Sequence, residues 1–391
     1  MRIDYENGYY EGEVINEKTR HGYGIYYWNR GDIHEGEWKN GRPDGYGKKI
    51  STKGYTYEGE WRKGIPHGKG TMLWDNGDKY EGDWCEGKRE GQGIYQYAIG
   101  SIYEGQFFNS KQHGYGKIQY QDGGRYEGEW CEDQKSGHGI YHYPDGMRYE
   151  GEWFQDIREG KGIIYLTNGG KYDGEWKNDF WHGSGTLYYA DGGKYIGKWC
   201  EGKREGKGIL YSENGNVYDG EWQNDNRHGH GTMCFENGAK YEGEWLDDME
   251  NGQGIAYLSS GERFEGTFEK GNFKYGVLYG VQGNRYEGEF DENSQVHGKG
   301  VLYWVEGDRY EGEFTHGEIT GYGAFYFTNG NVYIGEVMDT QENGKGTLYF
   351  ADGSKYEGYF LAGKPHGKGK YYTPDGTIEE GEWTNPDIPS D

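Results

Sequence analysis

The run Tyr57-Glu58-Gly59-Glu60-Trp61 alternates in character. With a period of two, Tyr57, Gly59 and Trp61 fall on one face and Glu58 and Glu60 on the other, as in a strand with one polar side. In a second run Gly68, Gly70, Met72 and Trp74 share a side. Gly64 and Pro66 between the runs are turn residues, and Asp75-Asn76-Gly77 after them is a strong short-hairpin motif. Its counterparts include Asp122-Gly123, Asp145-Gly146, Asn168-Gly169, Asp191-Gly192, Asn214-Gly215, Asn237-Gly238, Asn329-Gly330 and Asp352-Gly353. Each unit therefore predicts a β-hairpin, joined to the next by turns of the same kind.

The unit repeats. The triplet aromatic-acid-glycine recurs from Tyr10-Glu11-Gly12 and His34-Glu35-Gly36 onward to Tyr356-Glu357-Gly358, with a degenerate copy at Glu379-Glu380-Gly381. The 17 starts define 16 intervals, of which 13 are 23 residues; the others are 24, 22 and 24. Gly-x-Gly keeps the same phase from Gly22 to Gly367, failing at Gly276-Val277-Leu278, which lacks the second glycine. The array spans 5–383 as one continuous domain and leaves 384–391 as a short C-terminal tail. Trp38, Trp61, Trp84, Trp130, Trp153, Trp176, Trp199, Trp222 and Trp245 dominate one position, replaced later by Phe268, Phe290, Phe314, Val337 and Phe360. A bend or a change of groove width is expected near 268–285, with a specialised C-terminal third carrying a partner or self-association surface.

Composition explains why such units must stack. The 391 residues include 76 glycines, 41 tyrosines, 14 tryptophans and 14 phenylalanines, while hydrophobic residues of all kinds reach only 32%. So few aliphatic side chains cannot build a layered core, and so many rings do not fit disorder. An isolated hairpin is marginal in water, but stacked hairpins bury their faces together. Glycines at alternate positions inside strands, such as Gly59 and Gly68, leave gaps into which a ring from an adjacent strand fits. The predicted fold class is all-β: an elongated, single-layer, twisted antiparallel sheet of about 16 stacked hairpins, a ribbon of roughly 150 Å.

The net charge of −25 opposes phosphate backbones and anionic lipid, which call for clustered Lys and Arg. No nucleic-acid partner is expected, and a membrane surface is disfavoured. The opening Met-Arg-Ile-Asp predicts neither a secretory leader nor a myristoyl site, and no apolar run approaches 18 residues. Four cysteines without a CxxC pair fit a reducing cytoplasmic compartment.

Tyr-Glu-Gly-Glu-Trp, five or six polar residues, then His-Gly-x-Gly, recurring along essentially the whole chain, resembles the MORN repeat family. The resemblance implies single-sheet scaffolds that assemble by antiparallel or end-to-end pairing, in cytoskeletal and membrane-apposed assemblies such as basal complexes and ciliary radial spoke heads. Members with a fused lipid kinase, methyltransferase or membrane anchor also exist, and this sequence carries no such module.

No catalytic, cofactor-binding or metal site is predicted. Gly68-Lys69-Gly70-Thr71 lacks the third glycine and the following helix of a dinucleotide loop. His21, His67, His113, His182, His228, His297 and His366 share one repeat position at least 46 residues apart. About 20 Å then separates neighbours, against zinc–nitrogen bonds of about 2.0–2.1 Å, so each is expected to close its turn by a hydrogen bond. His228 and His230 share a strand face and are the one tempting pair. Cys85, Cys131 and Cys200 follow tryptophans and are read as packing residues. The acids Glu58, Glu60, Glu81, Asp83, Glu127, Glu129, Glu150 and Glu152 form ladders on a solvated face. The bases before each triplet (Lys79, Arg125, Arg148, Lys171, Lys194, Lys240, Arg309, Lys355) are expected to pair with them across strands.

Tyr165, Tyr188, Tyr211, Tyr257, Tyr303, Tyr326, Tyr349 and Tyr372 stand three residues after the second glycine, opposite the glycines of their strand. They are the candidate protein-binding residues, since amphipathic rings suit recognition; packing against the next hairpin is the alternative. The function expected is a non-enzymatic cytoskeletal scaffold, most concretely a ciliary axonemal component such as a radial spoke head, with protein partners and possible self-pairing. The alternatives are a phosphoinositide-binding membrane–cytoskeleton linker, for which Lys88-Arg89 and Lys203-Arg204 would carry the charge, and an accessory subunit of an enzyme.

Overall fold

The computed structural model describes residues 1–384, so all of the expected tail beyond Thr384 lies outside the described residues. Those residues form 34 strands and no helix. They fall into two compact units, Met1–Asp191 with Trp199–Gly202, and Gly192–Lys198 with Lys203 onward. Within each unit, hairpin follows hairpin in an open antiparallel ladder. Tyr55–Arg62 pairs with Ile65–Trp74, which pairs in turn with Lys79–Cys85.

The two turns of each repeat differ. Between Arg62 and Ile65 the loop has two residues, Lys63 (φ 52°) and Gly64 (φ 84°), both left-handed. Such a turn matches the twist of the flanking strands. The Asp75-Asn76-Gly77 segment instead closes a three-residue loop, in which the N–H of Trp74 bonds the carbonyl of Asp78 and that of Gly77 bonds Trp74, both at 2.9 Å. The tightest turn thus lies at the Gly64 end, where the sequence pattern is the weaker. The left-handed turn residues also tie hairpins together. The N–H of Gly64 bonds Pro43 O (2.7 Å), Asp133 bonds Gln112 O (3.0 Å), and Asp225 bonds Arg204 O (3.1 Å).

A sheet with no second layer has to cover its apolar face with its own side chains. Tyr57 lies flat along its hairpin, over Gly59 of its own strand and Gly70 of the next. A Cβ at Gly70 would fall 2.2 Å from the Tyr57 hydroxyl oxygen and 2.6 Å from a ring carbon. That hydroxyl donates to the Glu60 carbonyl (2.9 Å), and the ring is wholly buried. Edge-on tryptophans flank it, Trp61 at 4.9 Å and Trp84 of the next repeat at 5.3 Å between centroids. Each indole then anchors to backbone, Trp61 Nε1 donating to Gly47 O (2.9 Å) and Trp84 Nε1 to Gly70 O (3.0 Å). The series continues through Tyr80, Phe107, Tyr103 and Trp130. Each edge-to-face pair contributes about 0.5–1.5 kcal/mol beyond its burial.

The nesting is thus within a hairpin, and the tryptophan supplies the link to the neighbour. Only the second glycine of Gly-x-Gly lies under a ring. The first, Gly68, has φ +64°, sits at a bulge opposite Glu60 and meets that carboxylate, not an aromatic ring. Glu60 Oε1 in turn accepts the N–H of Lys69 (3.0 Å). The same register reassigns the irregular repeat: Gly276 pairs with Gly266 and Gly288 and is the second glycine. The residue missing from that 22-residue interval belongs to the bulge.

His34 occupies a triplet tyrosine position between Trp38 (5.1 Å) and Trp61 (4.8 Å). Both of its ring nitrogens are buried without a partner, and burial, helped by Lys49 and Arg20, lowers its pKa to about 4. The folded state therefore resists protonation, so stability present above the ordinary value of 6.5 is lost as pH falls toward 4. His34→Tyr is expected to stabilise the protein by about 1–3 kcal/mol and to flatten that acid limb in urea melts; unchanged acid sensitivity would refute the assignment. Gly162→Ala places a Cβ 2.3 Å from the Tyr149 hydroxyl oxygen and is expected to cost about 1–3 kcal/mol or more. Gly381→Ala, with nothing within 4 Å, should stay within about 0.5 kcal/mol. Equal costs in denaturant titration would show that the rings do not depend on the bare backbone.

Candidate interaction face

The polar face opposite the rings holds the tyrosine row. Because the residue before each triplet lies directly across from the last ring of the same hairpin, Arg148 pairs with Tyr165, Lys171 with Tyr188 and Arg309 with Tyr326. The cation lies over the ring in seven of the eight cases. The distances to the centroid are 4.8 Å for Tyr165, 4.6 Å for Tyr188, 4.8 Å for Tyr211 and 5.9 Å for Tyr257. Tyr303, Tyr326 and Tyr372 follow at 4.2, 4.0 and 4.2 Å. Tyr349 faces Lys355 in register. Tyr165, Tyr188, Tyr211, Tyr257 and Tyr349 are exposed, and Tyr303, Tyr326 and Tyr372 are half-buried.

The same cations meet acids, but along their own strand more than across it. Arg148 contacts Glu150, Lys240 contacts Glu242, Arg309 lies 3.7 Å from Glu311 and Lys355 3.3 Å from Glu357. The expected cross-strand partner is taken by the tyrosine. Cross-strand ion pairs come from other lysines, Lys48 with Glu58 at 3.5 Å and Lys117 with Glu127 at 3.1 Å. The face is therefore a repeated group of ring, cation and carboxylate, held in register by the ladder. Exposed pairs of this kind contribute about 0.2–1 kcal/mol each, so they shape the surface more than they hold the fold.

Two features escaped the sequence. Tyr279 belongs to the row, opposite Arg263 and 5.0 Å from it; it becomes legible once Gly276 is counted as the second glycine. A further row stands just before the second glycine, where Tyr23, Tyr46, Tyr115, Tyr275 and Tyr322 are exposed. Tyr23 and Tyr115 donate to Glu35 and Glu127, each at 2.7 Å. These hydroxyls are held protonated longer than usual, first of all by that hydrogen bond. The two rows meet in an open groove of about 620 Å³ lined by Tyr275, Tyr303, Tyr322, Tyr326, Glu287 and Glu311.

The histidines do not close turns by side-chain hydrogen bonds. The Nδ1 atoms of His21, His228, His297 and His366 are buried with no hydrogen-bond partner. His228 Nδ1 lies 3.7 Å from Asp247, whereas His230 pairs in register with Glu244, so the two stand beside different groups. Cys85, Cys131, Cys200 and Cys234 are free and exposed.

The arginines beside the tight turns are committed within the fold. Arg204 donates from Nε to Asp225 Oδ1 (3.1 Å) and from a terminal nitrogen to Asp225 O (2.6 Å), while its guanidinium covers Trp222 at 4.1 Å. Arg158 and Arg227 repeat the arrangement over Trp176 and Trp245, both at 4.4 Å. Arg89 donates to Ser110 O and lies 4.8 Å from the Tyr95 ring.

A family profile described as the MORN repeat matches fifteen segments: residues 10–33, 34–54, 57–79, 80–102, 103–125, 126–148, 149–171, 172–194, 195–217, 218–240, 241–263, 286–309, 310–332, 333–355 and 356–378. No curated protein matches the chain significantly. Among solved structures, the TCP10 domain of Danio rerio CPAP in complex with a STIL peptide is similar at 13% identity, covering 68% of this chain and 99% of its own, with a TM-score of 0.25. The TCP domain of Drosophila melanogaster SAS-4 with a proline-rich motif of Ana2 gives 14%, 50%, 88% and 0.21 in the same order. Virginiamycin B lyase of Staphylococcus aureus gives 12%, 80%, 83% and 0.12. Likenesses of this size carry no inference to function.

Replacing the planar fork of Arg204 by a single ammonium, Arg204→Lys, is expected to lower stability by about 1–2 kcal/mol in urea titration. No change would mean that these arginines do not tie hairpin to hairpin.

Proposed function

The chain belongs to the MORN repeat family, and from that membership we propose that it is a non-enzymatic protein-interaction scaffold of the cytoskeleton, most concretely of the ciliary axoneme, such as a radial spoke head. The observation that carries the scaffold reading is the face just described, where tyrosines, cations and carboxylates recur in fixed register along most hairpins from Tyr165 onward. Tyr and Arg are the residues on which protein interfaces concentrate their binding energy, and the ladder holds them before any partner arrives, which reduces the ordering cost of association. The cytoskeletal and axonemal assignment rests on the family resemblance alone. Tyr165, Tyr188, Tyr211, Tyr257, Tyr303, Tyr326, Tyr349 and Tyr372 are the proposed contact residues, joined by Tyr279.

The phosphoinositide reading is less favoured, because Arg89 and Arg204, two of the four cations it calls on, are already bonded to backbone and stacked on rings, which leaves only the exposed Lys88 and Lys203. Anionic vesicles that pellet the protein in a salt-sensitive way would revive it.

In ciliated cells the tagged protein is expected to stay with the detergent-resistant axoneme. Tyr303→Ser, Tyr326→Ser and Tyr349→Ser combined are expected to release most of it while leaving the melting curve nearly unchanged. Complete extraction of the wild type by detergent would overturn the axonemal assignment. Retention of the folded triple variant would overturn the tyrosine face.

A further inference from the structure

The repeat beginning at Tyr286 carries one residue more than the regular unit, and the structure places it in the turn between Phe290 and Val296, which pair across it. Asp291 opens that turn, its side chain only 10% exposed. Its Oδ1 accepts the N–H groups of Asn293 (2.8 Å) and Gln295 (2.9 Å). This fixes the carboxylate and leaves Oδ2 toward His316, whose Nδ1 lies 3.2 Å away. His316 is the first residue of the next hairpin's tight turn (φ 49°), which is held against the inserted turn by the Gly317 N–H donating to Val296 O (2.8 Å). His297 follows directly, its ring centroid 5.4 Å from that of His316 and its Nδ1 buried with no partner. One ligand atom from each of the three residues lies within 4.8 Å of the others.

We propose that Asp291, His297 and His316 bind a divalent ion of the zinc class. Histidines at one repeat position lie too far apart to share an ion. Here the second imidazole comes from a turn, and the carboxylate from an insertion, so convergence needs only neighbouring hairpins. Two imidazoles and a carboxylate are a zinc donor set, with bonds of about 2.0–2.2 Å. His316 is 68% exposed and free to close the remaining distance, while the backbone bonds on Asp291 Oδ1 orient the carboxylate as outer contacts do in metal sites. Three protein ligands leave the fourth position to water or to a side chain from a partner. His228 provides the internal contrast: its Nδ1 is equally unpartnered and has one carboxylate at 3.7 Å, yet it belongs to no such group of three among the described residues. An Asp291–His316 ion pair without metal would leave His297 Nδ1 unsatisfied, whereas an ion serves all three.

The test is calorimetric titration of the full chain with zinc chloride, run on the wild type and on His316→Asn, His297→Gln and His228→Gln. Asparagine is the residue already found at the matching turn position in Asn40, Asn178 and Asn224, with φ of 48–50°, so the His316→Asn fold is safe. Any zinc taken up by the exposed cysteines is common to every variant and cancels in the comparison. The wild type and His228→Gln are expected to show one site more than His316→Asn and His297→Gln, or the same site at least about a hundredfold tighter. Zinc is also expected to raise the melting temperature of the first pair by several degrees more than that of the second. Indistinguishable isotherms for wild type and His316→Asn would overturn the proposal, as would an equal loss in His228→Gln; an ion pair alone is then what the three residues form.

Discussion

A single open sheet has one apolar face and nothing to set against it. Everything else in this protein follows from how that face is covered: a tyrosine laid flat over two paired glycines, flanked by the edges of indoles or, as at Tyr286, of phenyl rings. The glycines are required because any Cβ beneath the ring would occupy the space of its hydroxyl end. The hydroxyl is required to be neutral, and burial pushes the Tyr10 pKa up to about 12. Phe264 shows which part is essential, since it keeps the place over Gly266 and Gly276 without a hydroxyl. Ring over bare backbone is the constant, and the hydrogen bond is an addition.

This economy has a geometric counterpart on the other side. Because the rings stay on one face, most positions of the opposite face carry no core-forming ring, and their residues vary, apart from the carboxylates that hold the bulge as Glu60 does. Isoleucine, leucine and glutamine occupy the matching positions at Ile50, Leu73 and Gln96, while tyrosine, present once earlier at Tyr27, holds the position from Tyr165 onward except at Cys234. The row is thus denser in the later part of the chain.

Much of the fold was legible in the sequence because a 23-residue period leaves little freedom: strands, hairpins and the buried Tyr-Gly-Trp face all follow from alternation. What alternation could not show lies at the bulge. Counting by twos runs straight through Gly68 and assigns it to the ring face, whereas its left-handed φ resets the count and hands the position to Glu60. The same break misplaced the missing glycine near Gly276 and hid Tyr279. The cations were assigned to acids because charge is visible in a sequence and a ring across a strand is not. The meeting of Asp291 with His316 needed the register of an irregular turn, which no regular repeat predicts.

The backbone bond that links most tight turns to a carbonyl 21 residues earlier, such as Asp225 to Arg204, joins each such hairpin to its neighbour in sequence. A chain of this kind has low contact order and pays little loop-closure entropy at any step. Each hairpin docks on the one before it, so its contacts require no segment from the far end of the chain.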